Sequence, residues 1–197
     1  LGREILRNQV ARGRDRDRDG GVAHLADSGG FGGRPNLTVA DYEAIRKEVT
    51  GVAAASPEAR TQGQIAVGNQ NTSVQVSGVS EQYLAARSWP LRGGDNFTEA
   101  DVRNASKVCL IGATTAKTLF GENVDPVGQV VRIKGLSFEV VGVLIDKAQI
   151  SSYFWPDKRS VFIPYSVTEQ LFHQDYLDTI VVQTVGWEFH DKGMQQV

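Results

Sequence analysis

Several groups of residues in this chain have types that do chemistry elsewhere. Gly112-Ala113-Thr114-Thr115-Ala116-Lys117-Thr118 carries the glycine, lysine and threonine of a phosphate-cradling loop. Such a loop needs a further glycine where backbone meets phosphate; here Ala116 occupies that place, and the run is one residue short. It reads as a strand-to-helix turn. His24, His173 and His190 are the imidazoles, and they lie far apart in the sequence. Solvated or capping roles fit them better than a metal site, which gathers several ligands around one ion. Glu99 and Asp101 are close, but residues two apart on a helix point to different faces, and acidity at a helix start has its own electrostatic reason. Cys109 is the single cysteine. Set between Val108 and Leu110, it reads as a buried, inert thiol, and alone it excludes an internal disulfide or a cysteine-built zinc cage. Asn36, Asn71, Asn96 and Asn104 open N-x-S/T triplets, which matter only in a eukaryotic secretory setting. No Ser–His–Asp set or G-x-S-x-G elbow occurs. The sequence argues against an enzyme and implies no cofactor and no metal. What remains is surface: Tyr153-Phe154-Trp155 beside Pro156, an aromatic group on a loop, either folds back over the central lobe or forms a binding tip, and on the second reading is the candidate partner-binding site.

The bulk numbers agree with a binding or mechanical role. A chain of 197 residues with 41% hydrophobic composition can build one sizeable core or two small lobes. Its formal net charge of −2 sets up no basic field for nucleic acid. No run approaches the ~20 apolar residues of a membrane span, and no signal-peptide core is present. The chain is therefore expected to be soluble, or the soluble part of something larger.

The elements that would position the aromatic loop follow from pattern. Residues 1–36 read as a flexible segment: Arg14 to Asp19 alternates charge, Gly20 to Pro35 is glycine-rich, and only Leu1 to Val10 suggests a short helix. Thr38 with Asp41 makes a capping box and Leu37 with Tyr42 a hydrophobic staple, opening a helix that ends at Gly51. Gln64–Gly68 and Thr72–Val76 read as a hairpin across Asn69-Gln70-Asn71, and Gly78 to Trp89 as a connector with a helical patch at Tyr83 and Leu84. Phe97, Thr98 and Asp101 repeat the staple and capping box. Val108 to Ile111 is a strand, Ala113 to Phe120 a helix stopped by Gly121, and Asp125-Pro126-Val127-Gly128 a turn in which proline fixes φ and glycine accepts unusual angles. Val131 and Ile133 alternate with Arg132 and Lys134, Lys134-Gly135 reverses the chain, and Phe138, Val140 and Val141 return it. Val161 to Pro164 is a strand, Ser166 with Glu169 caps a third helix, and Thr179 to Thr184 is a strong strand. The fold class is α+β, with two lobes: an inserted central one, 89–164, and a discontinuous outer one, 37–88 with 165–185, followed by an atypical tail, 186–197.

Read together, several of these pieces resemble a known family. They are Gly78-Val79-Ser80-Glu81-Gln82-Tyr83-Leu84, Trp89-Pro90-Leu91-Arg92-Gly93-Gly94, Phe97-Thr98-Glu99-Ala100-Asp101-Val102, Leu119-Phe120-Gly121, Asp125-Pro126-Val127-Gly128-Gln129, Phe138 to Leu144 and Val161 to Ser166. In order and without a large gap, from about Asn36 to Thr184, the chain resembles the periplasmic core domain of MacB-type ABC transporter permeases (the MacB/FtsX type).

The resemblance implies a porter-like α/β lobe with a small inserted α/β lobe of the Sabre-like kind. Such domains lie between the first two membrane helices, on the periplasmic side of the bacterial inner membrane. They couple ATP-driven helix motion to export or to a periplasmic partner. Implied partners are a membrane-fusion adaptor or a lipoprotein chaperone, an ABC ATPase domain or subunit reached through membrane helices, and a second copy in a homodimer. The other reading is a stand-alone periplasmic binding module for a hydrophobic ligand or a lipoprotein chaperone. Both ends depart from the family: Leu1 to Asp27 replaces an apolar strand, and Val185 to Val197 does not match the returning helix and strand. That departure predicts an outer lobe with an unpaired sheet edge.

Overall fold

The computed structural model describes residues 22–26, 37–145, 159–172 and 176–185. Helices and strands are mixed, as in an α+β protein. They fall into two compact units: one drawn from Leu1–Ala59, Gln82–Ser88 and Asp175–Val197, the other from Arg60–Glu81 and Trp89–Gln174.

The smaller unit is built on β1 (Val22–Ala26), α1 (Val39–Glu48), the first half of β2 (Val52–Val67), α2 (Tyr83–Ala86) and β9 (Thr179–Thr184). The Thr38 side chain accepts from the Asp41 N–H, and the Asp41 carboxylate accepts from Thr38 N–H at 2.8 Å, closing the capping box of α1. The staple residues Leu37 and Tyr42 are both buried. Strand β9 is flanked on both sides, antiparallel to β1 (Val22↔Gln183 to Ala26↔Thr179) and to β2 (Val52↔Thr184 to Glu58↔Thr179). Residues 22–26, inside the 1–36 segment expected to be flexible, thus form a strand; the rest of that segment lies outside the described residues. The run Val-Ala-His-Leu-Ala is short, but β9 presents a full row of backbone groups, and strand pairing satisfies both rows.

The larger unit contains the second half of β2, then β3 (Gln70–Val79), β4 (Leu91–Gly94), α3 (Glu99–Arg103), β5 (Val108–Ile111), α4 (Ala113–Phe120), β6 (Val130–Ile133), β7 (Leu136–Leu144), β8 (Ser160–Pro164) and α5 (Thr168–Phe172). Its pairings close on themselves. Strand β2 neighbours β3, β3 runs parallel to β8, β8 antiparallel to β5, β5 parallel to β7, β7 antiparallel to β6, and β6 returns to β2 through Ile65↔Ile133. Alternate residues of these six strands form one apolar core: Ile65, Val74, Val76, Cys109, Ile111, Val131, Ile133, Phe138, Val140, Val161 and Ile163 are all essentially inaccessible. Leu119 of α4 and Leu171 of α5 join the same cluster. A ring of this kind leaves few open strand edges, and β4 is added to it along the far half of β7.

Residues 60–81 and 165–174 therefore sit with the central unit, whereas the sequence boundaries put them in the outer lobe. The reason is pairing. Strand β3 runs on through Gly78 and Val79, which lie opposite Ile163 and Pro164 of β8, so the expected connector begins only after them. The hairpin turn is Gly68-Asn69, one residue earlier than expected, with Gly68 at φ +54. Ser166 does not cap the third helix: a 3₁₀ turn occupies Tyr165–Val167, and the Ser166 hydroxyl donates instead to the Val102 carbonyl.

Helix α3 carries the second capping box. Asp101 accepts from the Thr98 N–H at 2.8 Å and from its hydroxyl at 2.7 Å. These bonds, with one from Ser106, hold the Asp101 carboxyl below its ordinary value of 3.8, against a smaller opposing effect of burial. A depressed folded value means the stabilisation is complete above about pH 3.8 and fades as pH falls through the folded value. Asp101→Asn is expected to cost about 1 kcal/mol at pH 7. The cost should shrink toward zero in strong acid, as read from thermal midpoints of both proteins across pH.

Candidate functional site

Several of the residues singled out for chemistry are used up locally. Gly112 is the N-cap of α4, and its N–H donates to the Ser160 carbonyl at 2.9 Å. Ala116 is buried in the core cluster, so no phosphate-binding backbone surface exists at that position. Glu99 pairs with Arg103 at 3.3 Å one turn along α3, while Asp101 serves the cap. Cys109 is fully buried, and burial pushes its thiol far above the ordinary range, leaving no thiolate. His24 lies on β1 opposite Val181; His173 and His190 lie outside the described residues. Among the described residues no group of three or more His, Cys, Asp or Glu could hold a metal ion.

Tyr153, Phe154 and Trp155 also lie outside the described residues, in the connection between β7 and β8. The structure fixes the base of that connection. Trp89 Nε1–H donates to the Ile145 carbonyl, and the Ile145 N–H donates to the Pro90 carbonyl, both at 3.3 Å. The Trp89 ring meets Phe162 edge-on, with centroids 5.6 Å apart. Beside Ile145 is an open depression of about 240 Å³ lined by Arg92, Ala113, Thr114 and Lys117. Its two cations give it a positive rim, but Lys117 is 3.7 Å from Glu122, which offsets part of that charge. The arrangement can attract an anion weakly; it holds no group that could activate one.

One polar group went unread in the sequence. Glu58 is 2% exposed and accepts from Tyr83 Oη at 3.2 Å, while Gln82 Oε1 accepts from the Ala55 N–H at 3.2 Å. Adjacent residues of the Gly78–Leu84 motif thus hold α2 against β2. The only sequence signal was the polar alternation Ser56, Glu58, Arg60 following the apolar start of the strand.

Motif by motif, the residues that carry the resemblance serve as caps, turns and close packing. The model of the MacB-like periplasmic core domain family matches residues 5–186. The chain belongs to this family. It is thus a periplasmic core domain of a MacB-like ABC permease. It is 46% identical over 128 residues to the macrolide export ATP-binding/permease protein MacB of Syntrophobacter fumaroxidans, a match covering 62% of this chain and 18% of that protein. To the pyoverdine export ATP-binding/permease protein PvdT of Pseudomonas syringae pv. syringae it is 41% identical over 105 residues, 53% of this chain and 16% of that protein. The chain therefore spans about a fifth of these relatives. The crystal structure of the periplasmic region of MacB from Actinobacillus actinomycetemcomitans superposes with a TM-score of 0.72 at 23% identity, covering 88% of this chain and 80% of that one. At that identity the likeness speaks for the fold. No described helix is long and apolar enough to cross a membrane.

Proposed function

We propose that this periplasmic domain works as a lever: ATP-driven closure of a cytoplasmic domain moves membrane helices, and these displace the domain's two units to drive export or to engage a periplasmic partner. One observation carries the reading. The motifs shared with the family are spent on caps, turns and close backbone packing, which make rigid bodies, and not on groups that could make or break bonds. On this reading the domain is not itself an enzyme. The smaller unit is the porter-like lobe and the larger one the inserted Sabre-like lobe, enlarged by residues 60–81 and 165–174. The partner is a membrane-fusion adaptor or a lipoprotein chaperone, met by Tyr153, Phe154 and Trp155. An ABC ATPase and a second copy are reached through the membrane helices.

The test is made in the full-length permease. Replacing Tyr153, Phe154 and Trp155 together by alanine should lower adaptor co-purification and export by at least about tenfold, since a desolvated aromatic anchor is worth about 2 kcal/mol or more. ATP hydrolysis should persist. Unchanged export and adaptor capture would remove these residues from the mechanism.

A further inference from the structure

The connection from β7 to β8 runs from Ile145 to Ser160, and one side chain bonds to Ile145 at its start and packs on β8 just past its end. The Trp89 indole N–H donates to Ile145, the first residue past β7. The same ring meets Phe162, the third residue of β8, at an interplanar angle of 77°. Trp89 is 5% exposed and Phe162 2%, so the ring contact is shielded from water, while the bond to Ile145 is half-buried. The last Cα pair of the β4–β7 ladder is Leu91↔Leu144, so the bonds from Trp89 to Ile145 and from Ile145 to Pro90 extend the clamp beyond it.

Position in the chain adds the second half of the argument. Trp89 is where the chain re-enters the larger unit after the Gln82–Ser88 segment of the smaller one, and Ser88 just before it is held at φ +46. A leucine or phenylalanine would fill the apolar site nearly as well. Only the indole adds a donor, and that donor is placed on the end of the connection and not within a ladder.

We infer that Trp89 is a positioning residue: it fixes both ends of the β7–β8 connection from the point of chain re-entry. For its meaning in transport this rests on the lever reading above; as a statement about the two ends it does not. Displacement that arrives along residues 82–88 reaches Ile145 through a hydrogen bond and β8 through a ring contact.

Hydrogen exchange of the full-length permease, followed peptide by peptide, tests it. In Trp89→Phe, amides at Leu144–Ile145 should exchange about five-fold faster, the worth of one net hydrogen bond, while Ser160, still held through the ring contact, stays within about two-fold. Amides of β5 and β6 should change less than about two-fold. Uniform acceleration through the larger unit would overturn the inference, because Trp89 would then be core filling only; so would no change at Leu144–Ile145. Phe162→Leu, which leaves the indole N–H in place, guards against a variant that fails to fold. It should speed exchange at Ser160 while Ile145 stays within about two-fold, and equal acceleration at both ends would again overturn the assignment. The alanine variant of Tyr153, Phe154 and Trp155 does not enter this measurement, so failure of the lever reading is seen separately.

Discussion

Phe138→Ala is expected to destabilise the larger unit by about 4 kcal/mol, the middle of the range for emptying an aromatic site in a core. Phe138 is fully buried on β7 and lies opposite Val131 in the β6–β7 ladder. The ring formed by β2, β3, β8, β5, β7 and β6 surrounds its core, and a ring cannot collapse onto a missing side chain as an open sheet can. The cavity should therefore persist and the cost stay high. Amide exchange reads this directly: protection of Val108–Ile111 and Val161–Ile163 should fall by about a thousandfold, the factor that 4 kcal/mol represents. A loss below tenfold would mean that the strands relax inward and the closed pairing is not what makes the unit rigid.

How much of this was legible in the sequence varies by element, for identifiable reasons. Segments whose structure is set by local chemistry were readable almost to the residue. Helix α4 begins after Gly112 and ends at Gly121, which has φ +90. The Lys134-Gly135 reversal has φ +48 and +92, the left-handed pair that a two-residue hairpin demands. In the Asp125–Gly128 turn the Asp125 carboxylate accepts from Val127 N–H at 3.0 Å, and Gly128 has φ +80. Elements held by distant strands were not readable. Strand β1 exists through its register with β9, and β4 through Gly94 and Gly142, whose missing side chains let backbone approach backbone: a Cβ on Gly94 would stand 2.2 Å from the Val141 carbonyl oxygen. The unit boundaries failed for the same reason. Strand β2 continues without a break from Ala59 into Arg60, so no glycine, proline or charge run marks the division there.

Of the candidate site, the sequence supplied Tyr153, Phe154 and Trp155 through their type alone, and the described residues add only the base from which their loop departs. Trp89 stood in the Trp89–Gly94 motif without an assigned job. A lone tryptophan before proline has no local signature of a clamp, because both groups it holds lie more than 50 residues away along the chain. Glu58 was hidden in a similar way, since its phenol partner comes from the segment that returns after the β2–β3 hairpin.

The second large effect is expected at Gly78, and it can be undone. A Cβ built there would lie 1.9 Å from Thr168 Cγ2, 3.3 Å from its Cβ and 3.2 Å from the Cα of Tyr165. Gly78 is paired with Ile163 in the parallel β3–β8 ladder, so its backbone cannot withdraw without breaking that register. Nor can Thr168 turn aside at no cost: its hydroxyl is bonded to the Tyr165 carbonyl, and a branched side chain has few other rotamers. Gly78→Ala should therefore destabilise the larger unit by about 3 kcal/mol, toward the upper end for overpacking. Thr168→Ser deletes the clashing methyl and keeps the hydroxyl, and alone should cost about 1 kcal/mol as a small cavity. The two should not add. In Gly78→Ala/Thr168→Ser the serine leaves room for the new methyl, and stability should return to within about 1 kcal/mol of the unsubstituted chain, a coupling of about 3 kcal/mol at the limit seen for residues in direct contact. Urea midpoints of the four proteins close the cycle. If the double substitution is as unstable as Gly78→Ala alone, the steric account is wrong, and the glycine is required there for the freedom of the β3 backbone instead.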